Sequence, residues 1–224
     1  GDGGGGGVIA RALLLLALVA GLAAPAHARD KEPEADARKA MSAYVDCLLN
    51  RSGYKLRKAI DIPVGDPSLT ATLAKLATSS CLGDTSGDVE LRMQPLVLRG
   101  AAFESLYRNK FGDALEIEDF SQLAPLEYPV ATPETQNVDG DAASYLLMMA
   151  VGDCLVRADA SASHDLVISE IASTGETDAI ESLMPMLPVC IPAGRTLELS
   201  RSMLRGAIAE PLHRLSVQQS ETGL

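Results

Sequence analysis

The segment LVLRGAAFESLYR at 96–108 returns as SMLRGAIAEPLHR at 202–214. The wider windows 91–108 and 197–214 align without gaps and share eight of eighteen residues, among them Leu98/Leu204, Arg99/Arg205, Gly100/Gly206, Glu104/Glu210 and Arg108/Arg214. The echo extends upstream. VDCLLNR at 45–51 matches GDCLVR at 152–157, 107 residues on, and Cys190 follows Cys81 by 109. A period near one hundred residues exceeds that of common solenoid units, so the pattern predicts two tandem copies packed pseudo-symmetrically rather than an open array.

Each copy reads as helical. EADARKAMSAYVDCLLN places Ala40, Tyr44, Cys47 and Leu48 on one stripe, and AASYLLMMAVGDCLV is its counterpart. Shorter helices are expected at 54–60 and 164–172, and LTATLAKLATS carries Leu69, Leu73 and Leu76 at helical spacing. ETDAIESLMPMLP begins behind Ser173-Thr174-Gly175 and is cut short by Pro185 and Pro188. A few extended residues, VELRM or TLELS, lead into each closing helix, with Pro95 in the first turn of one and Ser200 capping the other. Too few strands are expected for a sheet, so the fold class is all-α.

The expected organisation is a leader at 1–28, a first unit at 29–110, an acidic proline-containing linker at 111–141, a second unit at 142–215 and a flexible tail at 216–224. The linker is read with one short helix near 115–123, packed through Phe111, Phe120 and Tyr128. In the leader, Arg11 precedes an apolar run from Ala12 to Ala24, followed by Pro25 and Ala26-His27-Ala28. Basic, apolar and small-residue regions in that order describe a secretory signal peptide. The thirteen-residue run is short of the roughly 20 that a spanning helix needs, so retention as an envelope anchor is the lesser alternative.

Export bears on the cysteines. Cys47, Cys81, Cys154 and Cys190 are an even set in an oxidising compartment, and the gaps of 34 and 36 within each unit favour Cys47–Cys81 and Cys154–Cys190 over the other two pairings. A four-thiol zinc site is disfavoured because these gaps are far from C-x2–4-C.

The run of Cys190, Ile191-Pro192-Ala193-Gly194, Thr196-Leu197-Glu198-Leu199 and Leu204-Arg205-Gly206 through His213, with DCLVRAD upstream, resembles exported helical repeat proteins of sphingomonad-type alphaproteobacteria. The resemblance covers most of the chain after the leader. It implies an exported helical fold and carries over no catalytic residue. The first copy departs from that pattern at Phe103 and Ser105, the second at Pro211 and at His213 in place of Tyr.

Chemistry is constrained mostly by exclusion. The net charge is −11, which repels nucleic acid and anionic lipid at long range. Outside the leader only His164 and His213 are present, so no multi-histidine metal site or H-E-x-x-H protease is possible, and no G-x-S-x-G elbow, Walker loop or dinucleotide fingerprint occurs. No cofactor is expected. With no Trp and eight aromatic side chains, a stacking platform for sugars or bases is poorly supported.

Glu104 and Glu210 are the one candidate acid–base pair, since pseudo-symmetry brings equivalent carboxylates together. The alternative is that each pairs with its own i,i+4 partner, Arg108 or Arg214, on a helix face. Gly100 and Gly206 lie on the wheel face opposite the leucine stripe, where an interior Gly costs about 1 kcal/mol relative to Ala. Their recurrence implies that something approaches that face closely, with Arg99 and Arg205 either paired to an acid, Asp46 and Asp153 being the symmetric candidates, or capping carbonyls of the neighbouring loop. The reading reached is a non-catalytic binding or structural protein of the periplasm or the exterior, for a small ligand or a protein partner. A hydrolase using Glu104 and Glu210 is the second.

Overall fold

The structure is a computed structural model that describes residues 33–82, 94–112, 119–128, 140–195, 197 and 199–222. The expected leader, the extended run at 89–93 and most of the linker lie outside these residues. Eight α-helices account for most of the described chain, and no strand is found among the described residues.

α1 (Pro33–Ile60) opens with acids and ends with Arg57 and Lys58, matching its dipole at both ends. It absorbs the predicted helix at 54–60 and kinks at Ser52, whose backbone leaves helical geometry. α2 (Pro67–Leu76) is capped by Asp66, whose carboxylate accepts from the Ser68 N–H at 2.7 Å, and Leu69 and Leu73 are buried. A 3-10 turn (Ser79–Cys81) then delivers Cys81 to Cys47.

α3 (Pro95–Phe111) starts on Pro95 as expected. α4 (Gly140–Ala158), α5 (Ala160–Ile168), α6 (Thr174–Leu183) and the short α7 (Leu187–Cys190) follow, and the second disulfide, Cys154–Cys190, ties α7 to α4. Both disulfides are those the spacing favoured. α8 (Arg201–Thr222) is capped by Ser200, whose hydroxyl accepts from the Met203 N–H at 3.2 Å.

Four expectations are corrected. α8 continues to Thr222, with Leu215 and Ser216 buried, where a flexible tail was expected from 216. Residues 119–128 hold no helix: Asp119 turns the chain by accepting from the Ser121 N–H at 2.8 Å. The carbonyls of Phe120, Leu123 and Ala124 accept from Arg157 instead of from a helical ladder, while Phe120 and Leu123 enter the core. In α1, Tyr44 and Leu48 of the expected stripe are buried but Ala40 is exposed, and the inward stripe also takes in Ala35, Arg38 and Val45. The helix expected at 164–172 runs from Ala160 to Ile168, started by Asp159, whose side chain accepts from the Ala162 N–H at 2.9 Å.

The buried apolar residues form one continuous cluster to which every α-helix contributes, α7 through Cys190. α3 lies at its centre, packed on α8 along one face and on α1 along another. Residues 98–107 of α3 are therefore buried all round, and α8 is almost as enclosed from Leu204 to Leu212. A helix buried on every side has no free face for polar groups, so each charge it carries needs a partner inside the protein.

Candidate functional site

Those partners are found where α3 crosses α8. The backbones meet at Gly100 and Gly206: a Cβ on Gly100 would stand 2.7 Å from the Gly206 Cα, and one on Gly206 would stand 3.0 Å from the Gly100 Cα. No side chain fits between them, so glycine is required by proximity rather than by conformation.

The close approach carries Arg99 to the opposite helix. Its Nε and Nη2 donate to the two oxygens of Glu210 at 2.8 and 2.7 Å, and its Nη1 donates to the Ile60 carbonyl. Arg205 repeats the arrangement toward α3, donating from Nε and Nη2 to Glu104 at 3.3 and 2.6 Å. Arg99 and Arg205 are 1% and 2% exposed, Glu104 and Glu210 6% and 1%. Each glutamate also accepts from its i,i+4 arginine, Arg108 at 2.7 Å and Arg214 at 3.0 Å. Arginine and glutamate five apart on one helix do not face each other, so the pairing has to be made across the crossing. Burial alone works to discharge Arg99, but Glu210 and the Tyr145 hydroxyl outweigh it and hold the guanidinium above its ordinary pKa.

Both arginines pair with an acid as expected, but the acids are Glu210 and Glu104 rather than Asp46 and Asp153. Asp46 accepts from Arg108 at 3.1 Å and from Ser105, and Asp153 accepts from Arg157 at 3.1 Å on its own helix. Arg205 is bound further by Glu176 at 3.1 Å, by Ser169 Oγ at 3.1 Å and by the Val167 carbonyl at 3.1 Å.

Glu176 escaped the reading of the sequence. It is fully buried and pairs with Arg38 of α1 as well as with Arg205. Desolvation pushes its carboxyl up, but Arg38, the Ala172 N–H and Arg205 override this and leave it below the usual carboxylate value. A local signal exists: Ser173 caps α6 by accepting from the Glu176 N–H at 3.1 Å, and Glu176 reaches back to the Ala172 N–H at 2.9 Å. This is a relative of the capping box, written in the sequence as S-T-G-E.

α4 closes on the crossing through a different fit. Pro211 has no N–H to give the Ala207 carbonyl, and Gly152 lies directly against that freed oxygen, where any Cβ would collide with it. Tyr145, from the first turns of α4, donates its hydroxyl to Glu210 at 3.0 Å. Burial, with Glu210 beside it, raises the Tyr145 pKa and keeps that hydroxyl a donor.

Beside the crossing, α3, α4 and α8 leave a cleft of about 210 Å³. Leu96, Met148, Met149 and Met203 supply its apolar wall, Gly100 and Gly206 its floor, and Arg99 with Glu210 its polar end. The crossing is thus neutralised within the protein, and the adjoining cleft presents mobile, polarisable side chains. Among the described residues, no three His, Cys, Asp or Glu side chains are grouped so as to hold a metal ion, and no helix is long and apolar enough to cross a membrane.

No family model, curated protein or solved structure matches this chain.

Proposed function

We propose that this chain is a non-catalytic binding protein of an oxidising, extracytoplasmic compartment. In this reading two tandem helical copies lock against each other, and the cleft beside the lock holds a small apolar ligand. The observation that carries it is the saturation of both candidate carboxylates. Glu104 is bound by Arg108 and Arg205, and Glu210 by Arg99 and Arg214. A general acid or base needs a proton-accepting position open to substrate and a pKa near the working pH. A carboxylate that already accepts from two guanidiniums has little lone-pair capacity left for a substrate. This favours a structural role over a Glu104/Glu210 hydrolase.

The two-copy reading is supported by the reciprocity of Arg99–Glu210 and Arg205–Glu104, by the contact of Gly100 with Gly206, and by disulfides spanning 34 and 36 residues in corresponding places. The compartment is supported by those disulfides, since cytosolic reductants would open them. The leader expected at 1–28 and the resemblance to exported helical proteins point the same way.

The cleft volume lies below the usual 300–1,000 Å³ of drug-sized sites, so its occupant is a fragment-sized molecule with at most one or two polar atoms. Titration with an apolar naphthylamine dye, excited at wavelengths where tryptophan does not absorb, tests this. Enhanced dye emission that is abolished by Met148→Trp, which fills the cleft, is expected. Dye emission unaffected by that substitution in a folded variant would overturn the assignment.

A further inference from the structure

A second cleft, of about 590 Å³, opens between the later part of α1, the end of α3 and residues 213–217 of α8. Its chemistry differs from that of the first. Arg57 and Lys110 stand at its walls with the amides of Asn50 and Asn109, and no carboxylate lines it. Neither cation has an acidic partner among the described residues. The adjoining stretch of α1 adds exposed Arg51, Lys55 and Lys58, with no acid between Cys47 and Ile60. In a chain of net charge −11, this is a local reversal of sign.

A residue of the cleft wall also carries an unmet polar atom. His213 packs its ring beside Phe103 and Phe111, with centroids 5.6 and 6.1 Å away, and its Nδ1 is buried without a hydrogen-bond partner. A buried polar atom left this way is unfavourable, and a ligand oxygen facing the imidazole would satisfy it. Burial, Lys110, Arg214 and Arg57 together hold the ring neutral against the pull of Glu210, which reports the same positive field from within the cleft. The remaining wall is apolar, through Leu49, Leu106 and Val217, and the volume is that of an ordinary small-molecule site.

We propose that this cleft binds a small soluble organic anion, its carboxylate or phosphate seated between Arg57 and Lys110 and within reach of His213, its apolar body against Leu49, Leu106 and Val217. The site is separate from the cleft beside the crossing and stands whether or not that one is occupied.

The test is calorimetric titration of the purified protein with octanoate, octyl phosphate, inorganic phosphate and octyl glucoside, followed in parallel by imidazole NMR signals. Octanoate or octyl phosphate is expected to bind and to shift the His213 resonances, with inorganic phosphate and octyl glucoside at least tenfold weaker. Arg57→Glu with Lys110→Glu, both exposed and outside the core, is expected to weaken the anions at least tenfold while the folded far-UV circular dichroism is retained. Met148→Trp, in the other cleft, is expected to leave anion binding unchanged. The proposal is overturned if octyl glucoside binds as well as the anions, if the double charge reversal leaves affinity intact, or if no anion moves His213. Flotation with phosphatidylglycerol vesicles, lost on the same charge reversal, would show a membrane headgroup in place of a soluble ligand and would also overturn it.

Discussion

At the scale of single residues, glycine and arginine have to be explained together. Arg99 reaches Glu210 only because Gly100 and Gly206 let the two backbones touch, so side-chain volume at either glycine moves the whole ion pair. Gly100→Ala, normally a helix-stabilising change, is therefore expected to destabilise, and Gly100→Leu or Gly206→Leu to lower stability by about 3 kcal/mol or more. Thermal melts monitored by far-UV circular dichroism check this, and an unchanged midpoint for the leucine variants would contradict the close approach. His213 gives a pH signature. Its folded pKa is lowered to about 4, by burial first and then by Lys110 and Arg214, against an ordinary value of 6.5. Between those values the unfolded chain binds more protons than the folded one, so stability contributed by neutral His213 is present above pH 6.5 and is lost as pH falls toward 4. Melting temperature followed from pH 7 to pH 4 should fall less steeply in His213→Phe than in the parent, and parallel curves would contradict the burial.

At the scale of elements, the two disulfides tie α1 to the turn after α2 and α4 to α7. Closing loops of 34 and 36 residues stabilises by about 4 kcal/mol each in the chain-entropy account. Replacing either pair by serine is expected to lower the denaturation midpoint by a similar amount in both cases. A much larger loss for one pair, measured by urea titration, would show that the elements it joins hold little packing of their own.

The helices themselves were largely legible, because capping residues and apolar spacing are local signals. Asp66, Pro95, Ser173 and Ser200 stand where the helices start. The partners of the buried charges were not legible. Arg99 and Glu210 are 111 residues apart, and no periodicity within either helix says which acid lies across the crossing. The wheel did show that Gly100 needed a close neighbour, but not that the neighbour was its own aligned glycine. Arg38 and Glu176 were missed for the related reason that a charged residue on a helix reads as solvated until its surroundings are known. The length of α8 was underestimated because its last turns are polar in composition, yet Leu215 and Ser216 are covered.

At the scale of the whole molecule, one apolar cluster joins the elements between Tyr44 and Leu215, and α3 with α8 form its axis. Arg99–Glu210 and Arg205–Glu104 fasten these two helices to each other, and on the proposed function the aligned glutamates hold the fold rather than react. Removing one partner of such a pair leaves a buried charge and costs about 3–5 kcal/mol, while removing both costs far less than the sum. Double-mutant cycles on equilibrium stability, with methionine for arginine and glutamine for glutamate, read this directly. The predicted result is a coupling of about 2 kcal/mol or more for Arg99 with Glu210 and for Arg205 with Glu104, and little for Arg99 with Glu104 on the same helix. Negligible coupling across the crossing, or stronger coupling within α3 than between α3 and α8, would contradict it.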